Sequence, residues 1–140
     1  MNMSVTIKIN NKGVYTMYEP KLEKDIRCPL EYGLDIFGGK WKSRIICILA
    51  SNGTMRYNVI RKELSNITDA VLAAMLKEMI ADEIIDRKQY NEMPPKVEYS
   101  LTTKGESAVP ILQSICQWSK TYIKIDNENA LPPCKTCNQI

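Results

Sequence analysis

The stretch YNVIRKELSNITDAVLAAMLKEMIA, Tyr57 to Ala81, decides the fold. Its first eight residues, Tyr57 to Leu64, read as a short helix that stops at Ser65-Asn66. Ile67 then precedes Thr68, a good N-cap, because its hydroxyl can accept a hydrogen bond from one of the first free amides of a following helix. In that helix Leu72, Leu76, Met79 and Ile80 recur at helical spacing and form a buried face. Two helices joined by a tight turn, the second of them capped, are the parts of a helix-turn-helix. The outward positions of the second helix are then Asp69, Ala70, Ala73, Ala74 and Lys77, a nearly uncharged face.

Upstream, Leu30, Leu34 and Phe37 recur at helical spacing before Gly38-Gly39, with Pro29 suited to the first turn. A second helix is predicted from about Lys40 to Ala50, with Trp41, Ile45, Ile48 and Leu49 on one face, ending at Ser51-Asn52-Gly53. Downstream, Ile84 to Asn91 and Val97 to Leu101 read as two strands of a hairpin whose tip, Glu92-Met93-Pro94-Pro95-Lys96, is stiffened by proline. Thr102 suits the N-cap of a long final helix with Leu112, Ile115, Trp118 (or Ser119) and Tyr122 on one face, and Pro110 falls early in it as a kink or a break. The order helix, helix, short helix, turn, capped helix, β-hairpin is that of a winged helix-turn-helix: mainly α with a small β-hairpin, an α+β class.

Residues 1–27 form an N-terminal extension. Val5, Ile7 and Ile9 alternate with Thr6 and Lys8, the chain turns at Asn10-Asn11-Lys12-Gly13, and Val14-Tyr15 resumes, which reads as a β-hairpin. A polar linker or short helix follows from Glu19 to Arg27. Residues 28–125 are assigned to the winged helix-turn-helix domain with its terminal helix, and residues 126–140, rich in Asn, Pro and Cys, to a mobile tail.

Composition narrows the function. The 140 residues are 44% hydrophobic and 25% charged, as in one globular domain. The longest apolar run, Ile45 to Ala50, is far short of the roughly 20 residues of a membrane-spanning helix, and no secretory signal opens the chain, so a cytoplasmic location and no membrane partner are expected. Histidine is absent, which removes the commonest general base and metal ligand; no enzyme activity, metal or cofactor is expected. Residues 28–62 carry Lys40, Lys42, Arg44, Arg56, Arg61 and Lys62 against Glu31 and Asp35, whereas residues 63–86 carry Lys77 against six acids. The basic half permits an anionic partner.

Cys28-Pro29, Gly38-Gly39-Lys40-Trp41, Arg56-Tyr57, Ile67, Leu72, Leu76, Arg87 and Pro94-Pro95-Lys96-Val97-Glu98-Tyr99-Ser100-Leu101-Thr102, with Gly105 and Trp118, closely resemble the HxlR family of bacterial transcription regulators over roughly residues 28–120. The resemblance implies a homodimer held by terminal helices, with two recognition helices on successive half-sites of a near-palindromic operator in double-stranded DNA. The stripe Leu112, Ile115, Trp118, Tyr122 is wide enough for a dimer interface; the alternative is that it closes the monomer's own core.

The neutral recognition face offers no arginine fork for guanine. Ala70, Ala73 and Ala74 can touch thymine methyls and Asp69 can accept from cytosine, so specificity leans on other elements or on DNA shape. Phosphate contacts are expected from Arg56, Arg61 and Lys62, from Thr68 with the free amides beside it, from Lys88 and Lys96 on the wing, and from Lys40; each cation is otherwise a solvated surface charge. Gly38-Gly39-Lys40 lacks the spaced glycines of a nucleotide loop and reads as a tight turn, with Trp41 in the core.

Cys28 precedes a helix, where the dipole favours a thiolate, with Lys21, Lys24 and Arg27 just upstream. It is the candidate sensor of oxidants or small electrophiles, or otherwise a small apolar residue. Cys47 and Cys116 fall on apolar faces and read as inert core residues. Cys134 and Cys137 form a lone C-x-x-C with too few partners for a zinc site. The reading is a dimeric DNA-binding regulator controlled by thiol chemistry at Cys28 or by another small-molecule effector. The alternative is a dimeric protein-interaction module without specific DNA readout.

Overall fold

The computed structural model describes residues 25–123 together with Lys8–Ile9 and Tyr15–Thr16. The chain divides into two compact units, Met1–Leu34 and Asp35–Ile140. In the first, β1 (Lys8–Ile9) pairs antiparallel with β2 (Tyr15–Thr16) in the register Lys8 to Thr16 and Ile9 to Tyr15. The rest of the expected hairpin, the linker up to residue 24 and the tail with Cys134 and Cys137 lie outside the described residues.

Helix α1 runs Pro29–Phe37, with proline at its first position as expected of a residue that lacks an amide hydrogen. Its Leu30 and Leu34 are exposed, and the residue it buries is Ile36. The expected Leu30, Leu34, Phe37 stripe is thus not the face that enters the core, apart from the partly buried Phe37.

Helix α2 covers Lys42–Asn52 and buries Ile45, Ile46 and Leu49. Gly39 and Gly53 bound it with φ of 83° and 71°, conformations that glycine adopts without a Cβ penalty. Lys42, at 5% exposure, shares the buried face of Ile45, Ile46 and Leu49. Its ammonium lies 2.8 Å from Glu78 Oε1 and donates to the Asp35 carbonyl at 3.4 Å. Trp41 is partly buried against the core with Lys40 and Arg44 over its ring, at 4.6 and 5.2 Å from the centroid.

Strand β3 (Met55–Arg56) leads into α3 (Tyr57–Leu64), and Thr68 caps α4 (Asp69–Ala81) by accepting from the Val71 amide at 3.3 Å. Leu72, Leu76 and Met79 are buried as their spacing demands. Strands β4 (Ile85–Tyr90) and β5 (Lys96–Leu101) pair in full register, and β3 adds to the far side of β5 through Met55 to Tyr99 and Arg56 to Glu98. The order β3-β5-β4 makes a three-stranded antiparallel sheet, one strand more than the expected hairpin.

Helix α5 runs without a break from Thr103 to Tyr122, through Pro110. Thr102 caps it by accepting from the Gly105 amide at 2.9 Å while its own hydroxyl donates to the Glu83 carbonyl at 2.6 Å. Gly105 is buried, and a Cβ there would collide with the Ile84 carbonyl oxygen. The helix therefore starts in backbone contact with the end of the α4–β4 turn, a contact that only glycine allows.

Two expectations about stability follow. Gly105→Ala, which gains about 1 kcal/mol of intrinsic helix propensity, is expected to lower unfolding free energy by about 2 kcal/mol through overpacking at Ile84, as read by urea denaturation. Glu78→Gln leaves the Lys42 charge buried without its counter-charge and is expected to cost about 2 kcal/mol, whereas the double change Lys42→Met, Glu78→Leu restores most of the loss.

Candidate nucleic-acid interface

The helix-turn-helix is locked at its turn. Ser65 adopts a φ of 48°, the Asn66 amide donates to the Leu64 carbonyl at 2.7 Å, and Ile67 is buried beneath. Across the turn, the Tyr57 hydroxyl reaches the Asp69 carbonyl oxygen at 3.3 Å and Oδ1 at 3.1 Å, and Arg61 Nε lies 3.0 Å from the same Oδ1. Burial and the hydrogen bond to Asp69 hold the Tyr57 phenol above its ordinary value. Asp69 is therefore engaged within the motif. A base contact from it must compete with Tyr57 and Arg61, and Arg61 offers a phosphate only the charge that Asp69 leaves.

The expected outward residues of α4, Ala70, Ala73, Ala74 and Lys77 together with Asp69, are all exposed. Val71, which the periodicity did not single out, is exposed beside them. It widens the exposed apolar face of α4, a surface with the chemistry that can meet thymine methyl groups.

The cations form two groups. On α3, Arg61 and Lys62 line one depression with Asn58 and Ser65. At the base of the wing, Arg56 pairs across strands with Glu98 and contributes to holding that carboxyl down. Lys96 Nζ lies 2.8 Å from Glu98 Oε1, and the Tyr90 hydroxyl donates to Glu98 Oε2 at 3.1 Å. The Lys96 hydrogen bond is the main cause that lowers the Glu98 carboxyl, and it correspondingly raises the Lys96 ammonium. Lys88 and Lys96 stand 4.9 and 5.1 Å from the Tyr90 ring centroid. The wing is thus braced by its own charges: Lys96 is compensated by Glu98, and among the described residues Lys88 has no carboxylate within ion-pair distance. At the tip Met93 is 99% exposed. Lys40 is exposed and sits over Trp41 ahead of α2.

On α5, Ile115, Trp118 and Tyr122 are exposed, Trp118 at 68% and Tyr122 at 67%, and the last two rings touch at a centroid distance of 5.2 Å. Leu112 departs from this stripe, being partly buried against the core, and Ile111 is exposed one position earlier. Cys28 is exposed beside the first turn of α1, where its carbonyl accepts from the Glu31 amide at 3.1 Å and Arg27 pairs with Glu31 at 3.0 Å. Cys47 and Cys116 are half-buried and outside the core cluster. Among the described residues no helix is long and apolar enough to cross a membrane.

Comparison with known proteins agrees with this architecture. The model of the HxlR-like helix-turn-helix family matches residues 36–127. A helix-turn-helix transcriptional regulator of Halalkalibacterium halodurans is 41% identical over 101 residues, covering 72% of this chain and 89% of that protein. The Bacillus subtilis regulator YkvN is 42% identical over 99 residues, covering 71% and 83%. Among solved structures, the redox regulator HypR in its oxidized form superposes with a TM-score of 0.64 at 38% identity, covering 70% of this chain and 100% of that one. The reduced form of the regulator YodB from B. subtilis superposes with a TM-score of 0.64 at 31% identity, covering 71% and 97%. The chain belongs to the HxlR-like helix-turn-helix family and is a transcriptional regulator of the helix-turn-helix type.

Proposed function

We propose that the protein binds an operator in double-stranded DNA as a homodimer, placing α4 of each copy in successive major grooves of a near-palindromic site, within the cytoplasm. The observation that carries this reading is the exposed, capped α4, whose first turn meets Arg61 of α3 and whose Ala73 and Lys77 adjoin Arg87 of the wing. Phosphate contacts fall to Arg56, Lys62 and Lys88, with Arg61 and Lys96 sharing their charge with Asp69 and Glu98, with Thr68 and its adjacent amides at the helix start, and with Lys40 as an outlying cation. Base contacts fall to Ala70, Val71, Ala73, Ala74 and Lys77. Those apolar contacts and DNA shape set sequence preference, since no Arg-guanine fork is presented.

The second copy is assigned to the exposed stripe of α5, because Ile115, Trp118 and Tyr122 leave large apolar surface unburied in one copy. A second exposed apolar pair, Leu30 and Leu34 one turn apart on α1, has similar chemistry. Control is assigned to Cys28, an exposed thiol at the start of α1, open to oxidants and small electrophiles. The similarity to HypR, a redox regulator, supports this assignment.

The test is titration of the reduced protein onto a duplex from its own upstream region and onto a shuffled duplex at one salt concentration. Preference of about 10³ or more for the native duplex is expected, and equal weak binding would favour a protein-interaction module. With about six phosphates neutralised per dimer, log K should fall with log salt at a slope near −5. Arg56→Ala with Lys62→Ala should weaken both duplexes alike and flatten that slope. Repeating the titration on oxidized protein and on Cys28→Ser should show a response only in the chain that keeps the thiol.

Light scattering tests the dimer. Trp118→Ala with Ile115→Asp is expected to shift a micromolar solution from dimer to monomer while far-ultraviolet circular dichroism stays unchanged; a monomeric parent protein would end the proposal.

A further inference from the structure

Between α4 and the wing lies a groove of about 290 Å³, lined also by Tyr57 at the start of α3. Its wall is apolar, from Leu76 and Ile80 on α4. Lys77 on α4 and Arg87 on β4 flank it, and among the described residues neither has a carboxylate within ion-pair distance. The Arg87 guanidinium makes a long hydrogen bond, 3.5 Å, to Gln89 Oε1. Arg87 stands directly opposite Tyr99 across the β4–β5 pair.

Tyr99 supplies a second, independent signal. Its side chain lines the groove, and the residue is only 8% exposed, yet its hydroxyl has no hydrogen-bond partner among the described residues. No fully buried side-chain nitrogen or oxygen among them lacks a partner, so this hydroxyl keeps some exposure in a residue that lines the groove. A core phenol normally finds a partner within the protein. Here an unused donor, two uncompensated cations and an apolar wall converge on one small space.

We propose that this groove is a binding site for a small organic carboxylate with a flat apolar body. The carboxylate would take hydrogen bonds from Tyr99 and Arg87 and the charge of Lys77, while its body lies against Leu76, Ile80 and the tyrosine rings. The volume sits at the lower edge of small-molecule clefts, roughly 300–1,000 Å³, which suits a single-ring acid and excludes a nucleotide. A bare phosphate uses the cations but leaves the apolar wall unfilled, so the site favours an acid with a hydrophobic body over a phosphate group.

The site stands independently of the proposed DNA reading, but its consequence rests on that reading. Lys77 and Ala73 belong both to the groove and to the exposed face of α4, so occupant and duplex exclude one another.

The experiment is an amide chemical-shift titration of the full chain with three probes: benzoate, benzamide, which has the ring without the charge, and inorganic phosphate, which has the charge without the ring. Saturable benzoate shifts clustered at Tyr57, Leu76, Lys77, Ile80, Arg87 and Tyr99 are expected, with the other two probes weaker by roughly tenfold or more. Tyr99→Phe, which keeps the ring and the packing, and Arg87→Gln should each weaken benzoate by roughly tenfold. Benzamide matching benzoate would reduce the groove to an apolar patch, phosphate matching it would reduce the groove to an anion patch, and unsaturable or scattered shifts would remove the site; each overturns the proposal. Benzoate at saturation should weaken duplex binding. Unchanged duplex affinity with benzoate bound overturns the exclusion alone, and absence of duplex binding without benzoate overturns the DNA reading and not the site.

Discussion

The ion pair between Lys42 and Glu78 is the constraint on which the placement of α4 depends. Apolar burial of Leu72, Leu76 and Met79 holds α4 to the core, but hydrophobic contact is non-directional and tolerates rotation and sliding of a helix. A charge pair of 2.8 Å does not, because displacement strands a buried ammonium. It fixes the C-terminal half of α4 against α2, and the more exposed Asp69 contacts to Tyr57 and Arg61 tie the first turn to α3 more weakly. The helix is pinned at both ends by polar contacts and glued between them by apolar ones, which leaves one face, and only that face, presented outward.

Much of this architecture is legible in local sequence. The Thr68 and Thr102 caps, the stop at Ser65-Asn66 and the spacing of Leu72, Leu76 and Met79 are short-range signals, and each corresponds to an observed element. What escaped has long-range causes. Strand β3 is two residues long and exists because β5 lies beside it; nothing in Met55-Arg56 itself demands extension. Leu30 and Leu34 have core spacing but face outward, since periodicity shows that a helix has an apolar stripe without showing which surface covers it. Lys42 carries a signal that was available: it stands three, four and seven residues before Ile45, Ile46 and Leu49, on the apolar face itself, a place where a charge must find a partner.

The candidate interface divides the same way. Which residues of α4 face outward follows from helical periodicity, so Ala70, Ala73, Ala74 and Lys77 were legible. How much charge each cation has free was not. Arg61 and Lys96 read as exposed positive charges in the sequence, but Asp69 and Glu98 compensate them through pairs set by the turn and by the β5 strand. Tyr90 between Lys88 and Lys96, and the hydroxyl of Tyr99 over the groove, are likewise products of strand register and not of spacing along the chain.

In the proposed DNA complex, a neutral α4 face and a helix held by polar contacts belong together. A bidentate side chain to a base is worth about 1–3 kcal/mol of discrimination, so a face built of alanine and valine must recover specificity from many small contacts and from the cost of deforming the wrong sequence. Such contacts fall off steeply with distance, because dispersion loses a quarter to a half of its strength over a gap of about 1 Å. A helix free to shift by that amount would read nothing. The polar contacts that hold α4 therefore stand in for the base-specific charges it lacks. In the proposed complex, a ligand lodged between α4 and the wing covers Ala73 and Lys77 of that same face and so competes with the duplex for it.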